Sequence, residues 1–336
     1  MIRDGYKDKV INPHQVGGIE TYICDNGAAK GSRVAWINTG SGLRFKVSID
    51  RGLDIVDAFY NDCSLSWLSH NGLSAPRADA ADGLKWLSNF PGGLLTTCGL
   101  SHVGGPEEGF GLHDRYSNLP AALESVVQPC LRTDELEMSI TGVVRQSTVF
   151  GPNLQLKRTI SCRLGEPTIR IRDVVTNVGN TATPLMLLYH CNFGWPLVDE
   201  GTRIVYEGSC KPRDPGSEVL KACSAPLDGH CGSGEAVGFI DPQADADGTC
   251  TAGLCNDRLG MAVLLKFKKE QLPCLTNWQH WGRGEYICGV EPGTNFPVGQ
   301  SAAKEQGNLI MLQPLESREF ELEIAVANGT ENLKDL

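Results

Sequence analysis

Three stretches of the chain place an ionisable residue where an apolar run breaks into glycine or proline. The first is GFGLHDR, residues 109 to 115, with His113, Asp114 and Arg115. The second is LYHCNFGWP, residues 188 to 196, with His190 and Asn192. The third is QHWGRGEYICGVEPGTN, residues 279 to 295, in which Tyr286, Ile287, Cys288 and Val290 form an apolar strand that delivers Glu291 to a Pro-Gly turn. A carboxylate at the end of such a strand is partly desolvated, which raises its pKa toward that of a general base, and histidine titrates in the same range. Each stretch has a plain reading by itself: a hydrogen-bonded structural histidine, a surface turn before proline. Their occurrence together is what points to acid–base chemistry.

Other chemistries lose support. No G-x-G-x-x-G follows a strand, and G-x-x-x-x-G-K-[ST], H-E-x-x-H and G-x-S-x-G do not occur. None of the seven histidines pairs with another at metal-ligand spacing, although a metal held from distant positions stays open.

The elements that must position these residues read as strands. In LRFKVSI, Leu43, Phe45, Val47 and Ile49 share one face and Arg44, Lys46 and Ser48 the other. TIRIRDVV puts Ile169 and Ile171 on one side, and REFELEIAVA alternates Phe320, Leu322, Ile324 and Val326 against Glu319, Glu321 and Glu323. Period two marks half-buried antiparallel strands. Tight-turn pairs such as Asn26-Gly27, Asp82-Gly83 and Asp247-Gly248 punctuate them. Helical stripes are scarce, with residues 82 to 90 and 119 to 127 the candidates for a turn or two. The expectation is an all-β chain: an N-terminal extension over 1–17, one large antiparallel β-sandwich over 18–328 and a tail over 329–336. Residues 208 to 257, poor in large apolar side chains, read as long loops over one rim.

With 336 residues, 41% hydrophobic and 21% charged, the chain is globular rather than disordered. A formal charge of −10 and the lack of a Lys/Arg cluster argue against a nucleic-acid partner. No apolar run reaches the ~20 residues of a membrane helix, and the polar start lacks a secretory core, so the expected location is the cytoplasm and no membrane partner is expected. Thirteen cysteines, odd in number and without a C-x-x-C pair, read as reduced thiols.

The Y-H-x-N-x-G-x-P setting of His190, the G-x-E-P-x-T-N setting of Glu291 and the earlier His113 together resemble the galactose mutarotase-like superfamily, and more closely its aldose 1-epimerase-related, DUF4432-type branch. DRGLDI (50–55) and GGLLTTCGLSHVGGP (92–106) are similar to that branch as well. The resemblance spans about residues 18 to 326. It implies an antiparallel supersandwich that binds a small sugar and interconverts its anomers with no metal and no cofactor, as a monomer or homodimer. His190 would be the general acid, Glu291 the general base, and His113 would hold the ring oxygen or a hydroxyl. The first motif departs from the family, His-Asp-Arg standing for His-Gly, and the family's sugar-orienting aspartate has only Asp214 as a candidate.

The chemistry suits these residue types. A base takes the anomeric hydroxyl proton while an acid protonates the ring oxygen; the open aldehyde rotates about one bond and recloses on its other face. That needs a carboxylate and a histidine on opposite sides of the anomeric carbon. Binding would draw on hydroxyl hydrogen bonds, with Asn192 and His280 as candidates, and on an aromatic face, with Trp278 as one. Arg51 and Asp54 are either a buried ion pair or sugar contacts, and Arg51 or Arg115 would suit an acidic sugar. Two rivals stay open: epimerisation or isomerisation at another carbon, with Glu291 removing a carbon-bound proton and a metal assisting, and a non-catalytic carbohydrate-binding protein.

Overall fold

The computed structural model describes residues 8 to 232 and 234 to 330, so part of the expected extension (1–7) and part of the expected tail (331–336) lie outside the described residues. Almost everything regular in it is antiparallel sheet. Five consecutive strands, Gly18–Ile23, Arg33–Asn38, Leu43–Ser48, Asp54–Tyr60 and Cys63–Ser64, form a meander. An eight-stranded sheet runs in the order Arg203–Tyr206, Thr249–Asn256, Met261–Lys268, Ser317–Asn328, Thr168–Asn177, Asn153–Arg163, Glu137–Ser147, Ala121–Val127. The third sheet runs Gly208–Pro212, Ala236–Pro242, Cys274–Gly282, Glu285–Gly293, Thr183–Phe193, Ile310–Leu312, and Thr96–Leu100 also pairs with Thr183–Phe193. The one α-helix among the described residues, Gln300–Glu305, is short, and no helix there is long and apolar enough to cross a membrane.

The period-two stretches behave as their patterns require. Leu43, Phe45 and Val47 are buried while Arg44 and Lys46 are half-buried, and Phe320, Leu322, Ile324 and Val326 are buried opposite Glu319, Glu321 and Glu323. These faces meet in one apolar cluster that draws on all three sheets, with Phe45, Ile140, Leu265 and Phe193 among its members. Fold class is therefore all-β, a large antiparallel sandwich.

Two local expectations are corrected. Residues 119 to 127 are not helical: Ala121–Val127 is an edge strand paired to Glu137–Ser147, and its mostly exposed side chains lack the alternation that marks a half-buried strand. Residues 208 to 257 are only partly loop, because Gly208–Pro212, Ala236–Pro242 and Thr249–Asn256 are strands. Glycine and cysteine fill positions there that larger apolar residues fill elsewhere.

All thirteen cysteines are free thiols, seven of them buried. Mass measured under denaturing, non-reducing conditions is expected to match the fully reduced chain. A deficit of two protons would overturn this, and Cys223 and Cys288, whose thiols are in hydrogen-bond contact, are the pair where it would arise first.

Candidate functional site

His190 lies near the end of the strand Thr183–Phe193 and Glu291 near the end of Glu285–Gly293, and these strands pair with Cys191 opposite Val290. That register sets His190 across from Glu291 on one face of the sheet. Thr276 is Glu291's partner on the other side, and Trp278 follows two residues on, sharing its face. Gly289 leaves room for the Glu291 carboxylate, since a Cβ there would come within 2.4 Å of the Glu291 Oε1 and would displace it. Asn192 holds the end of the His190 strand, its amide donating to the carbonyls of His190 (2.8 Å) and Gly93 (3.1 Å).

His113 arrives from a loop. It and Asp114 both adopt left-handed backbone, with φ of 57 and 59, a conformation that non-glycine residues keep only when their surroundings enforce it. The enforcement is visible: the His113 amide donates to Gly104 and its carbonyl accepts from Gly99. The Asp114 carboxylate accepts from the Ser101 and Arg115 amides and from Gln146 Nε2. Asp114, the departure from the His-Gly pattern, is thus a loop clamp.

These elements enclose a cleft of about 320 Å³ containing His113, His190 and Glu291. His190 Nδ1 and Glu291 Oε1 are 3.4 Å apart. Both atoms are buried without a hydrogen-bond partner, as are His113 Nδ1 and Thr276 Oγ1. Buried polar atoms are rarely left so unless something else is to meet them. Burial pushes the Glu291 carboxyl well above its usual range, helped by the nearby Glu235 carboxylate. Burial also lowers His190 to about 4, with Asn192 pulling the other way. His113 is lowered by burial and by the proximity of His190. The cleft therefore favours one proton on the His190–Glu291 pair. The two stand side by side on neighbouring strands, not on opposite sides of a sugar carbon as expected from sequence.

Of the other sequence candidates, only Trp278 lines this cleft, its ring centroid 5.4 Å from that of His190. Arg51 is buried elsewhere and donates to Ser117 O and to the Ser74 hydroxyl. Asp54 is in a buried ion pair, but with Arg158 at 2.9 Å. Arg115 donates to Ser147 O and Thr148 Oγ1 beside a separate cavity. His280 is bound to the Glu285 carbonyl, and Asp214 is exposed and paired with Arg213. With neither Arg51 nor Arg115 facing the cleft, the acidic-sugar expectation loses its basis. Sequence reasoning missed Trp86, Phe90, Arg213 and Glu235, all of which line it. Trp86 and Phe90 stack at 4.3 Å, and Glu235 accepts from Arg213 and from Trp278 Nε1 (2.6 Å). Among the described residues no three His, Cys, Asp or Glu side chains gather as a metal site.

A model of the family "Domain of unknown function (DUF4432)" matches residues 29–326. No curated protein matches the chain. Among solved structures, a protein of Klebsiella pneumoniae subsp. pneumoniae MGH 78578 named a putative aldose 1-epimerase superposes with a TM-score of 0.84 at 24% identity, over 97% of this chain and 88% of the other. A galactose mutarotase-like protein of Clostridium acetobutylicum gives 0.61 at 13% identity, covering 92% and 98%. A galactose mutarotase related enzyme from Lactobacillus acidophilus gives 0.58 at 11%, covering 87% and 96%. At these identities the likeness is one of fold.

Proposed function

The chain belongs to the DUF4432 family, and from that membership together with its cleft we propose that it is an aldose 1-epimerase, interconverting the anomers of a small sugar by ring opening. The observation that carries the reading is the unpartnered pair His190 Nδ1 and Glu291 Oε1, 3.4 Å apart and facing one cleft. Burial leaves the pair's one proton on Glu291, and it first passes to His190 Nδ1, 3.4 Å away; Glu291 then takes the proton of the anomeric hydroxyl while His190 gives its proton to the ring oxygen, and the bond between the anomeric carbon and the ring oxygen breaks. After rotation of the aldehyde, His190 takes back the proton of the former ring oxygen and Glu291 returns one to the carbonyl oxygen. The pair ends with the single proton it began with, so one turnover resets the site. Trp278, half-buried beside His190, offers an aromatic face to the C–H side of the ring.

Anomer exchange followed by NMR on a panel of aldoses tests the proposal. Exchange well above the buffer rate in at least one sugar is expected, with no deuterium entering carbon 2 from heavy water. Deuterium at carbon 2 would instead assign Glu291 to proton removal from carbon, and binding without either reaction would leave a carbohydrate-binding protein.

A further inference from the structure

We propose that Glu235 is a positioning residue of the reaction, which fixes the Trp278 ring against His190 and sets a negative charge beside the His190–Glu291 pair. The inference rests on the acid–base reading above. It starts from the register of three strands. Val237 of the strand Ala236–Pro242 pairs with Trp278 on one side, and its carbonyl accepts from the Arg213 amide at 2.7 Å on the other. Glu235 lies one residue before that strand begins, and Arg213 one residue past the end of Gly208–Pro212, so the two meet at the rim of the cleft beside Trp278. The Glu235 carboxylate divides its oxygens between them. Oε1 accepts from Arg213 Nη2 at 2.7 Å and Oε2 from Trp278 Nε1 at 2.6 Å. Arg213 is shared in turn with Asp214.

An indole has one polar group, its Nε1–H, so the bond to Glu235 fixes how the Trp278 ring is turned. The ring stands edge-on to His190 at 5.4 Å and to Trp67 at 6.2 Å. Trp278 also adjoins the base: a Cβ on Gly289 would meet both the Glu291 Oε1 and the Trp278 Cβ, so the two side chains share the space above that glycine. Glu235 is thereby tied to the neighbour of Glu291. Burial is the first cause of the raised Glu291 pKa and the Glu235 carboxylate the second, with Cys288 on Glu291's own strand third. The other titratable groups around the pair are Cys191 on the paired strand, Cys98 on the strand beyond, His113 from its loop and Arg213 at the rim. Burial pushes the Cys191 and Cys98 thiols up and His113 down, so these three stay uncharged at neutral pH. Glu235 and Arg213 are the charges that line the cleft with the pair, and they act on its proton with opposite signs.

Three variants test this. Glu235→Gln keeps an oxygen for the indole and drops the charge, Glu235→Ala drops both, and Arg213→Met leaves the carboxylate's charge uncompensated. Infrared spectroscopy follows the protonated carboxyl band of Glu291, identified as the band absent from Glu291→Gln, and anomer exchange gives KM and the pH profile. The carboxyl midpoint and the alkaline limb of exchange are expected to move together, to lower pH in both Glu235 variants and to higher pH in Arg213→Met. KM is expected to stay near the parent value in Glu235→Gln and to rise about 2- to 10-fold in Glu235→Ala, the worth of one well-placed aromatic contact. An unmoved midpoint in Glu235→Gln, a shift of the same sign in Arg213→Met, or an unchanged KM in Glu235→Ala would each overturn the assignment. The infrared titration needs no sugar, which separates the two readings. Exchange with unmoved midpoints removes the role of Glu235 and leaves the epimerase; moved midpoints in a protein that exchanges no sugar remove the epimerase, and with it the reaction that Glu235 would serve.

Discussion

Glu291→Gln is expected to lower anomer exchange by roughly 10²–10⁴-fold while leaving sugar affinity within a few-fold, because positioned proton transfer contributes about that much and the amide still bonds a hydroxyl. His190→Gln should behave alike, and the double variant should lose less than the product of the two, since acid and base act as a unit. The pH profile follows from the directions of the two shifts. Below about pH 4 His190 takes up a second proton and the pair has no base. Above the raised pKa of Glu291 the pair has no proton left to give. Exchange in the parent protein should therefore be bell-shaped, with its acid limb near pH 4. Stability should move the other way. A carboxyl whose folded pKa lies above its unfolded one favours the native state below the ordinary value of 4.5, and that contribution is lost as pH rises through the folded pKa. Glutamine removes the loss, so Glu291→Gln should melt higher than the parent at neutral pH and alike at low pH. Unchanged exchange in a folded Glu291→Gln would remove the proposed mechanism.

What made His190 and Glu291 legible was local: an apolar run ending in a polar residue and then Gly or Pro is itself the signature of a strand reaching a rim. His113 was legible only as an ionisable residue in a glycine-flanked stretch, for it comes from a loop and not from a strand end. Trp86, Phe90, Arg213 and Glu235 were not, because they come from loops and strand ends whose approach to the cleft is set by sheet packing and leaves no period in the chain. Asp214 is adjacent to a lining residue, but its carboxylate is exposed and pairs with Arg213, which reaches the cleft instead. The strands were read correctly wherever one face was wet, since burial then alternates. They were missed at the edge strand 121–127, exposed on both sides, and within 208–257, where small residues carry the inward positions.

The same alternation also concealed the largest polar feature of the interior. Arg158 and Asp173 occupy inward positions of their strands, spaced as apolar residues would be, and both are wholly buried. Arg158 binds Asp173 at 2.6 Å and Asp54 at 2.9 Å, and donates to the Gly52 carbonyl. Tyr189 Oη donates to Asp173 and Thr97 to Asp54, and Tyr116 and Tyr189 place their rings within 6 Å of the guanidinium. The network joins all three sheets, and Tyr189 and Thr97 pair with each other directly beside the His190–Thr96 pair. Arg158→Met should cost about 3–5 kcal/mol, the usual penalty for leaving buried charge unpaired, here on two carboxylates. A triple variant that also carries Asp54→Asn and Asp173→Asn should recover much of the loss, because it strands no charge. Urea unfolding read by tryptophan fluorescence gives both numbers. A loss below about 1 kcal/mol in Arg158→Met, within the range of ordinary surface pairs, would mean that water or local rearrangement rescues the carboxylates and that the cluster does not tie the sheets together.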